Sequence, residues 1–110
     1  MAYQENNITW WDAVDYISSS GYYPINSWEE NLERIKNVVD SFEKPFMFME
    51  VGCPSIKGNG KFPNRWDMEK IPDMEEQQKF YEEMFLQSEK IGFVSGYGLW
   101  DWPIKIYEKE

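Results

Sequence analysis

The chain has 110 residues and a net charge of −9, from eleven basic and twenty acidic side chains. This length fits one small domain, and the negative charge argues against nucleic acid or an anionic membrane as a partner. One cysteine and no histidine exclude an intrachain disulfide, a cysteine-cluster metal site and catalysis through a Ser-His or Cys-His pair. We therefore expect no metal and no other cofactor, and acid–base chemistry would have to use carboxylates or tyrosines.

The start of the sequence lacks the basic stretch and apolar run of a secretory signal. No apolar segment reaches the length that spans a bilayer. These features predict a soluble protein that is cytoplasmic as encoded.

The first predicted strand covers about residues 15–23 and stops at Pro24. A helix over about residues 28–42 follows, and Ser27 and Glu30 have the spacing of a capping box at its start. The apolar residues that recur at helical spacing in it are Trp28, Leu32, Ile35, Val39 and Phe42.

A buried strand is predicted over about residues 45–52, where a continuous apolar run contains a single charge, Glu50. Side chains alternate between the two faces of a strand. The two predicted faces carry Phe46, Phe48 and Glu50 on one side and Met47, Met49 and Val51 on the other. Glu50 is therefore expected at the carboxyl end of a buried strand.

Residues 53–72 are rich in Pro, Gly, Asn and Lys, and so long a connection is usually either functional or disordered. A second helix is predicted over about residues 74–90, with Asp73 and Glu76 at its cap. The last strand is predicted over about residues 92–100. The alternation of strands and helices predicts an α/β fold with a parallel sheet of three strands.

The carboxyl ends of parallel strands meet on one rim, where α/β proteins bind their ligands. Here the strand ends supply Tyr22 and Tyr23, then Glu50, then residues 100–102, Trp-Asp-Trp. A carboxylate beside a tyrosine hydroxyl and an indole suits glycoside cleavage, since the carboxylate can attack the anomeric carbon while the indole supports the sugar. Each feature also has an ordinary explanation: a solvent-facing strand terminus, a turn and a packed edge.

Longer stretches resemble the clan A glycoside hydrolases, which are (β/α)8 barrels, and most closely the endo-β-1,4-mannanases of glycoside hydrolase family 113. Residues 15–17 and 21–25 are similar to the sixth strand of those enzymes. Residues 44–52 resemble the seventh, where a Lys-Pro start, an apolar run and a Glu-hydrophobic-Gly end mark the nucleophile. The similarity continues through residues 63–67 and ends at residues 100–102, which resemble the end of the eighth strand.

This resemblance implies a partial (β/α)8 (TIM) barrel, whose three parallel strands correspond to strands 6 to 8 and are joined by two long helices. It implies that Glu50 is the catalytic nucleophile and Tyr22 its hydrogen-bonding partner. It also implies a β-linked oligo- or polysaccharide as the ligand, with Trp100 as the floor of the cleavage subsite. The further sugar contacts that we expect are Trp66, Tyr23 and Trp102.

The family's acid/base glutamate lies on the fourth strand and follows an asparagine, but this sequence contains no Asn-Glu dipeptide. A retaining glycosidase needs two carboxyl groups about 5 to 5.5 Å apart. Activity would therefore require a complementary barrel half, or another copy in a homo-oligomer, to supply the acid. Two alternatives are a sugar-binding remnant without catalysis and an unrelated small α/β interaction domain.

Overall fold

The computed structural model describes residues 3–101, in which strands and long helices alternate. The elements are β1 (Ile17–Ser20), α1 (Trp28–Phe42), β2 (Phe46–Val51), α2 (Met74–Ile91) and β3 (Val94–Leu99). Short 3-10 helices at Glu5–Asn7 and Trp11–Ala13 precede β1, and a third, Ile25–Ser27, leads into α1. Within residues 3–101, no helix combines the length and the apolar character that crossing a membrane requires.

The three strands form one sheet in the order β1-β2-β3, and both neighbouring pairs are parallel. This is the parallel α/β arrangement predicted from the alternation of elements. Each strand is shorter than its predicted range, and β1 differs most because it ends at Ser20 rather than near residue 23. Past that point Gly21 donates one more backbone hydrogen bond, to the Glu50 carbonyl, and the chain then turns towards Pro24.

The core lies between one face of the sheet and the two helices. Trp28 is fully buried at its centre and makes edge-to-face contacts with Tyr23, Phe48 and Phe80, at centroid distances of 5.1, 5.5 and 5.7 Å. Burial of each such side chain stabilises the fold by about 1.5–3 kcal/mol. The opposite face of the sheet is open, and Met49 on it is 61% exposed.

The side chains of β2 do not alternate regularly between the two faces of the sheet. The predicted assignment of Glu50 and Val51 to these faces is wrong. Ser19 pairs with Phe48 but the next residue, Ser20, pairs with Glu50, so Met49 is an extra residue in β2. This bulge reverses the alternation. Val51 consequently lies on the core face with Phe48 and is fully buried, and Glu50 points away from that face.

The two helices begin with different caps. Asp73 caps α2 as predicted, since its Oδ1 accepts a 3.0 Å hydrogen bond from the Glu76 backbone N–H. The capping box predicted for α1 is wrong, because the Ser27 hydroxyl donates to the Pro24 carbonyl instead, at 3.0 Å. The turn of Ile25–Ser27 places that carbonyl within reach of the hydroxyl, so the serine bonds backwards along the chain.

Candidate active site

The ends of the three strands meet on one rim. The Gly21 N–H donates to the Glu50 carbonyl at 2.7 Å, and the Trp100 N–H donates to the Val51 carbonyl at 2.8 Å. These bonds place the chain after β1, the end of β2 and the end of β3 side by side.

Tyr22 and Glu50 contact each other directly at this rim. The Tyr22 hydroxyl donates a 2.5 Å hydrogen bond to Oε1 of Glu50. Burial, the bond to Glu50 and the nearby Tyr81 and Asp101 raise the pKa of Tyr22 well above its usual range. The tyrosine therefore stays protonated and donates its hydrogen bond to one oxygen of the carboxylate.

Trp100 stands at the same rim and exposes 51% of its surface. A Cβ atom at Gly52 would overlap the Trp100 carbonyl oxygen, so only a glycine lets the two backbones approach this closely. The peptide bond between Trp100 and Asp101 is cis. Trp102, expected to contact sugar, lies outside the described residues.

Tyr23 does not reach the rim, and its predicted contact with sugar is wrong. Its side chain is fully buried, packs on Trp28 and donates a 2.7 Å hydrogen bond to Oε1 of Glu5. Consecutive residues of an extended segment point to opposite sides. Because Tyr22 faces the open rim, Tyr23 must face the core.

Trp66 lies in the connection 53–72, which is held by polar contacts. The Asn59 side chain donates to the Phe62 and Arg65 carbonyls at 3.0 and 2.7 Å. Trp66 itself is 54% exposed, and the contacts seen within residues 3–101 do not join it to Glu50. Its predicted sugar contact stays a prediction.

Helix α2 holds the turn after β2, which sequence reasoning did not anticipate. The Gln77 side-chain amide donates to the Cys53 carbonyl at 2.7 Å, and the Glu76 carboxylate accepts from the Gly58 N–H at 2.5 Å. Burial, with a smaller effect of Glu76, raises the pKa of the Cys53 thiol to about 12. The thiol is therefore protonated and unsuited to act as a nucleophile.

Sequence reasoning also missed a buried polar cluster around Glu5, which is fully buried. Its carboxylate accepts hydrogen bonds from Ser19, Tyr23 and Arg34. These partners lie 14, 18 and 29 residues away along the chain, so no local pattern signals them. Within the part of the chain that the structure describes, no group of three or more His, Cys, Asp or Glu side chains could hold a metal ion.

The sequence profile described as Glycoside Hydrolase Family 113 matches residues 1–110. The chain belongs to this family. Among solved structures, it is 50% identical to one entitled a complex of a GH113 β-1,4-mannanase, with a TM-score of 0.87 and coverage of 91% of this chain and 32% of that one. A GH113 β-mannanase from Alicyclobacillus acidocaldarius, solved in complex with ManMIm, is 43% identical, with a TM-score of 0.87 over 94% of this chain and 33% of that one. No match was found among curated proteins.

This GH113 chain thus spans about a third of the length of the solved mannanases it matches. The predicted resemblance to family 113 is confirmed, and so is the predicted partial (β/α)8 barrel with three parallel strands and two long helices. Membership of the family supports a function of the glycoside hydrolase type.

Proposed function

We propose that this chain carries the nucleophile side of the active site of a retaining glycoside hydrolase that cleaves β-mannan, with Glu50 as the nucleophile. One observation carries the proposal: the Tyr22 hydroxyl holds Oε1 of Glu50, at 2.5 Å, at the carboxyl end of a barrel strand. Ligand chemistry in barrels of this kind takes place at that end. The choice of β-mannan rests on the solved relatives, which are named a β-1,4-mannanase and a β-mannanase.

In this mechanism the second carboxylate oxygen of Glu50 attacks the anomeric carbon and forms a glycosyl ester. The bond to the leaving oxygen breaks, and a general acid protonates that oxygen. Water then attacks the same carbon, gives its proton to the conjugate base of that acid, and releases the Glu50 carboxylate. The Tyr22 hydroxyl keeps the carboxylate in one orientation through both steps, and Trp100 provides a flat apolar surface under the sugar ring.

The acid in our proposal comes from a complementary barrel half rather than from these residues, because the sequence lacks the Asn-Glu dipeptide that the family resemblance associates with it. We expect such a segment to pack beside β1, which lies at an edge of the sheet within residues 3–101. An open groove of about 340 Å³ lies there, and Trp10, Tyr16 and Met49 in its wall are 52%, 51% and 61% exposed. Packing of a neighbouring barrel strand would remove this apolar surface from water.

The proposal is tested by trapping the glycosyl ester. The chain is mixed with the N-terminal two-thirds of a family 113 mannanase and incubated with 2-deoxy-2-fluoro-β-mannosyl fluoride, and the adduct is located by peptide mass spectrometry. We expect one fluorosugar on the peptide that contains Glu50, no adduct in Glu50→Gln, and a normal adduct in Glu29→Gln, whose side chain is exposed on α1.

Hydrolysis of an activated aryl β-mannoside is measured in the same mixtures. An adduct that persists in Glu50→Gln would show that another residue is the nucleophile. Absence of both labelling and hydrolysis in the complemented protein would contradict the catalytic proposal.

The exposure of two tryptophans favours a second candidate, a sugar-binding segment without catalysis. Trp66 and Trp100 are 54% and 51% exposed, and aromatic faces of this kind suit packing against pyranose rings. Under this alternative the chain binds manno-oligosaccharides while Glu50 stays unlabelled in the complemented protein.

A further inference from the structure

A second carboxylate lies on the core side of the segment that carries Tyr22. Glu5 is fully buried, and its Oε1 accepts hydrogen bonds from the Ser19 hydroxyl and, at 2.7 Å, from the Tyr23 hydroxyl. These two partners lie on either side of Gly21 and Tyr22 in the sequence. One oxygen atom therefore holds both ends of this five-residue segment.

Glu5 is itself held by groups from two other parts of the chain. Its second oxygen accepts a 2.5 Å bond from Arg34 of α1, and the Arg34 guanidinium also donates to Asn31 at 3.1 Å. The Trp11 indole N–H donates to the Glu5 backbone carbonyl at 2.9 Å. A buried carboxylate with this many donors has little freedom to move, because each lost bond would leave a buried polar group unsatisfied.

The opposite side of the same segment belongs to the candidate active site. The Gly21 N–H donates to the Glu50 carbonyl and the Tyr22 hydroxyl to the Glu50 carboxylate. A Cβ atom on Gly21 would lie 3.0 Å from side-chain atoms of both Phe48 and Val51. The segment is therefore also in close contact with β2. Residues 19, 21 and 23 thus face the core, while Tyr22 faces Glu50.

We propose that Glu5 is a positioning residue for the reaction: through Ser19 and Tyr23 it holds the segment so that the Tyr22 hydroxyl stays on Glu50. This inference rests on the proposed role of Glu50. Glu5 lies in the core and acts on the nucleophile through this segment rather than by direct contact. Loss of the buried carboxylate would let the segment shift relative to β2, and small displacements of groups that orient a nucleophile have large effects on rate.

The contact is tested on the chain itself with tyrosine labelled with ¹³C at Cζ, whose NMR shift reports the hydrogen bonding of the hydroxyl. Tyr22→Phe assigns the Tyr22 signal, and Glu50→Ala gives its position without the carboxylate. In Glu5→Gln, and in Tyr23→Phe, we expect the Tyr22 signal to move towards that second position. Lys36→Ala is the matched control. It breaks the ion pair between Lys36 and Asp40, at 2.6 Å, on α1, the helix that also carries Arg34. This variant should leave the Tyr22 signal in place.

Tyr23→Phe guards against loss of the fold in Glu5→Gln, since it removes one hydroxyl and leaves the bond between Glu5 and Arg34. A Tyr22 signal that stays at its wild-type position in folded Tyr23→Phe, and in Glu5→Gln wherever that variant folds, would overturn the inference.

Kinetics of the complemented enzyme separate positioning from a purely structural role. Glu5→Gln should lower kcat on the order of tenfold with little change in KM, because the carboxylate orients the nucleophile and does not touch the sugar. If Glu5→Gln lost activity because part of the protein unfolds, fewer molecules would be labelled at Glu50. The kcat per labelled molecule would then be unchanged. Absence of the adduct on Glu50 in the wild-type protein would refute the proposed function, whereas a labelled Glu50 with an unmoved Tyr22 signal would refute the positioning role alone.

Discussion

Tyr22 and Tyr23 are adjacent in the sequence, yet their hydroxyls bind different carboxylates on opposite sides of the chain. Tyr22 donates to Glu50 at the open rim, and Tyr23 donates to the buried Glu5. Burial raises the pKa of both above the usual range, and the neighbouring carboxylate raises it further. Both tyrosines are therefore donors at any physiological pH, but only Tyr22 lies at the open rim.

We predict that the side chain of Trp100 contributes to sugar binding. In Trp100→Ala we expect manno-oligosaccharide affinity, measured by isothermal titration calorimetry, to fall about two- to twelvefold, if a sugar on the indole gains about 0.5–1.5 kcal/mol as an aromatic pair does. Trp10→Ala is the control, because Trp10 is similarly exposed, at 52% against 51%, but lines the groove beside β1. An equal loss in both variants would contradict a specific role for Trp100.

At the scale of elements, the irregular pairing of β2 with β3 explains why the two glycines of β3 differ. Partners shift between Phe46 and Phe48 and again between Phe48 and Val51. A Cβ atom on Gly98 would overlap the Met49 carbonyl oxygen, whereas one on Gly96 would have Met47 as its nearest neighbour, at 3.9 Å. Gly98 is therefore required for close approach of the two strands, and Gly96 is not.

We predict that Gly98→Ala lowers the free energy of unfolding by about 2 kcal/mol or more, because backbone atoms must move to admit the methyl group. Gly96→Ala in the same strand should change it by less than about 1 kcal/mol. Urea denaturation followed by circular dichroism measures both. Comparable losses in the two variants would mean that β2 and β3 do not approach as closely as the structure shows.

At the scale of the whole molecule, Glu5 joins three parts of the fold: the segment before β1, β1 with its continuation, and α1. Burial alone would raise the pKa of Glu5, but hydrogen bonds from Ser19, Arg34 and Tyr23 outweigh it and hold the pKa below its usual value. A carboxyl group with a lowered pKa stabilises the folded state above its unfolded-state pKa. That stabilisation is lost as the pH falls through the folded-state pKa.

The pH dependence of stability tests this account. We expect Glu5→Gln to be less stable than wild type by about 3 kcal/mol at pH 7, since the substitution leaves Arg34 without its charged partner. The difference should shrink below about pH 4, where the unfolded-state carboxyl of the wild type takes up its proton. Denaturant titrations at several pH values measure it, and a difference independent of pH would contradict the assigned ionisation of Glu5.

The sequence alone was sufficient for the class of fold and for the position of Glu50 near the carboxyl end of a strand. Apolar periodicity predicted a helix over residues 28–42, and α1 is Trp28–Phe42. An apolar run that ends in a single acid predicted a buried strand with Glu50 at its carboxyl end, and β2 is Phe46–Val51. These predictions are possible because periodicity and burial are local properties of a chain.

Only the tertiary structure decided how the strands are aligned and which polar groups meet. The bulge at Met49 depends on how β2 pairs with β1, and it places Val51 in the core. The hydroxyl of the buried Tyr23 finds its partner in a glutamate 18 residues away along the chain. Register and long-range hydrogen bonds depend on contacts between distant residues, so the local pattern of the sequence cannot determine them.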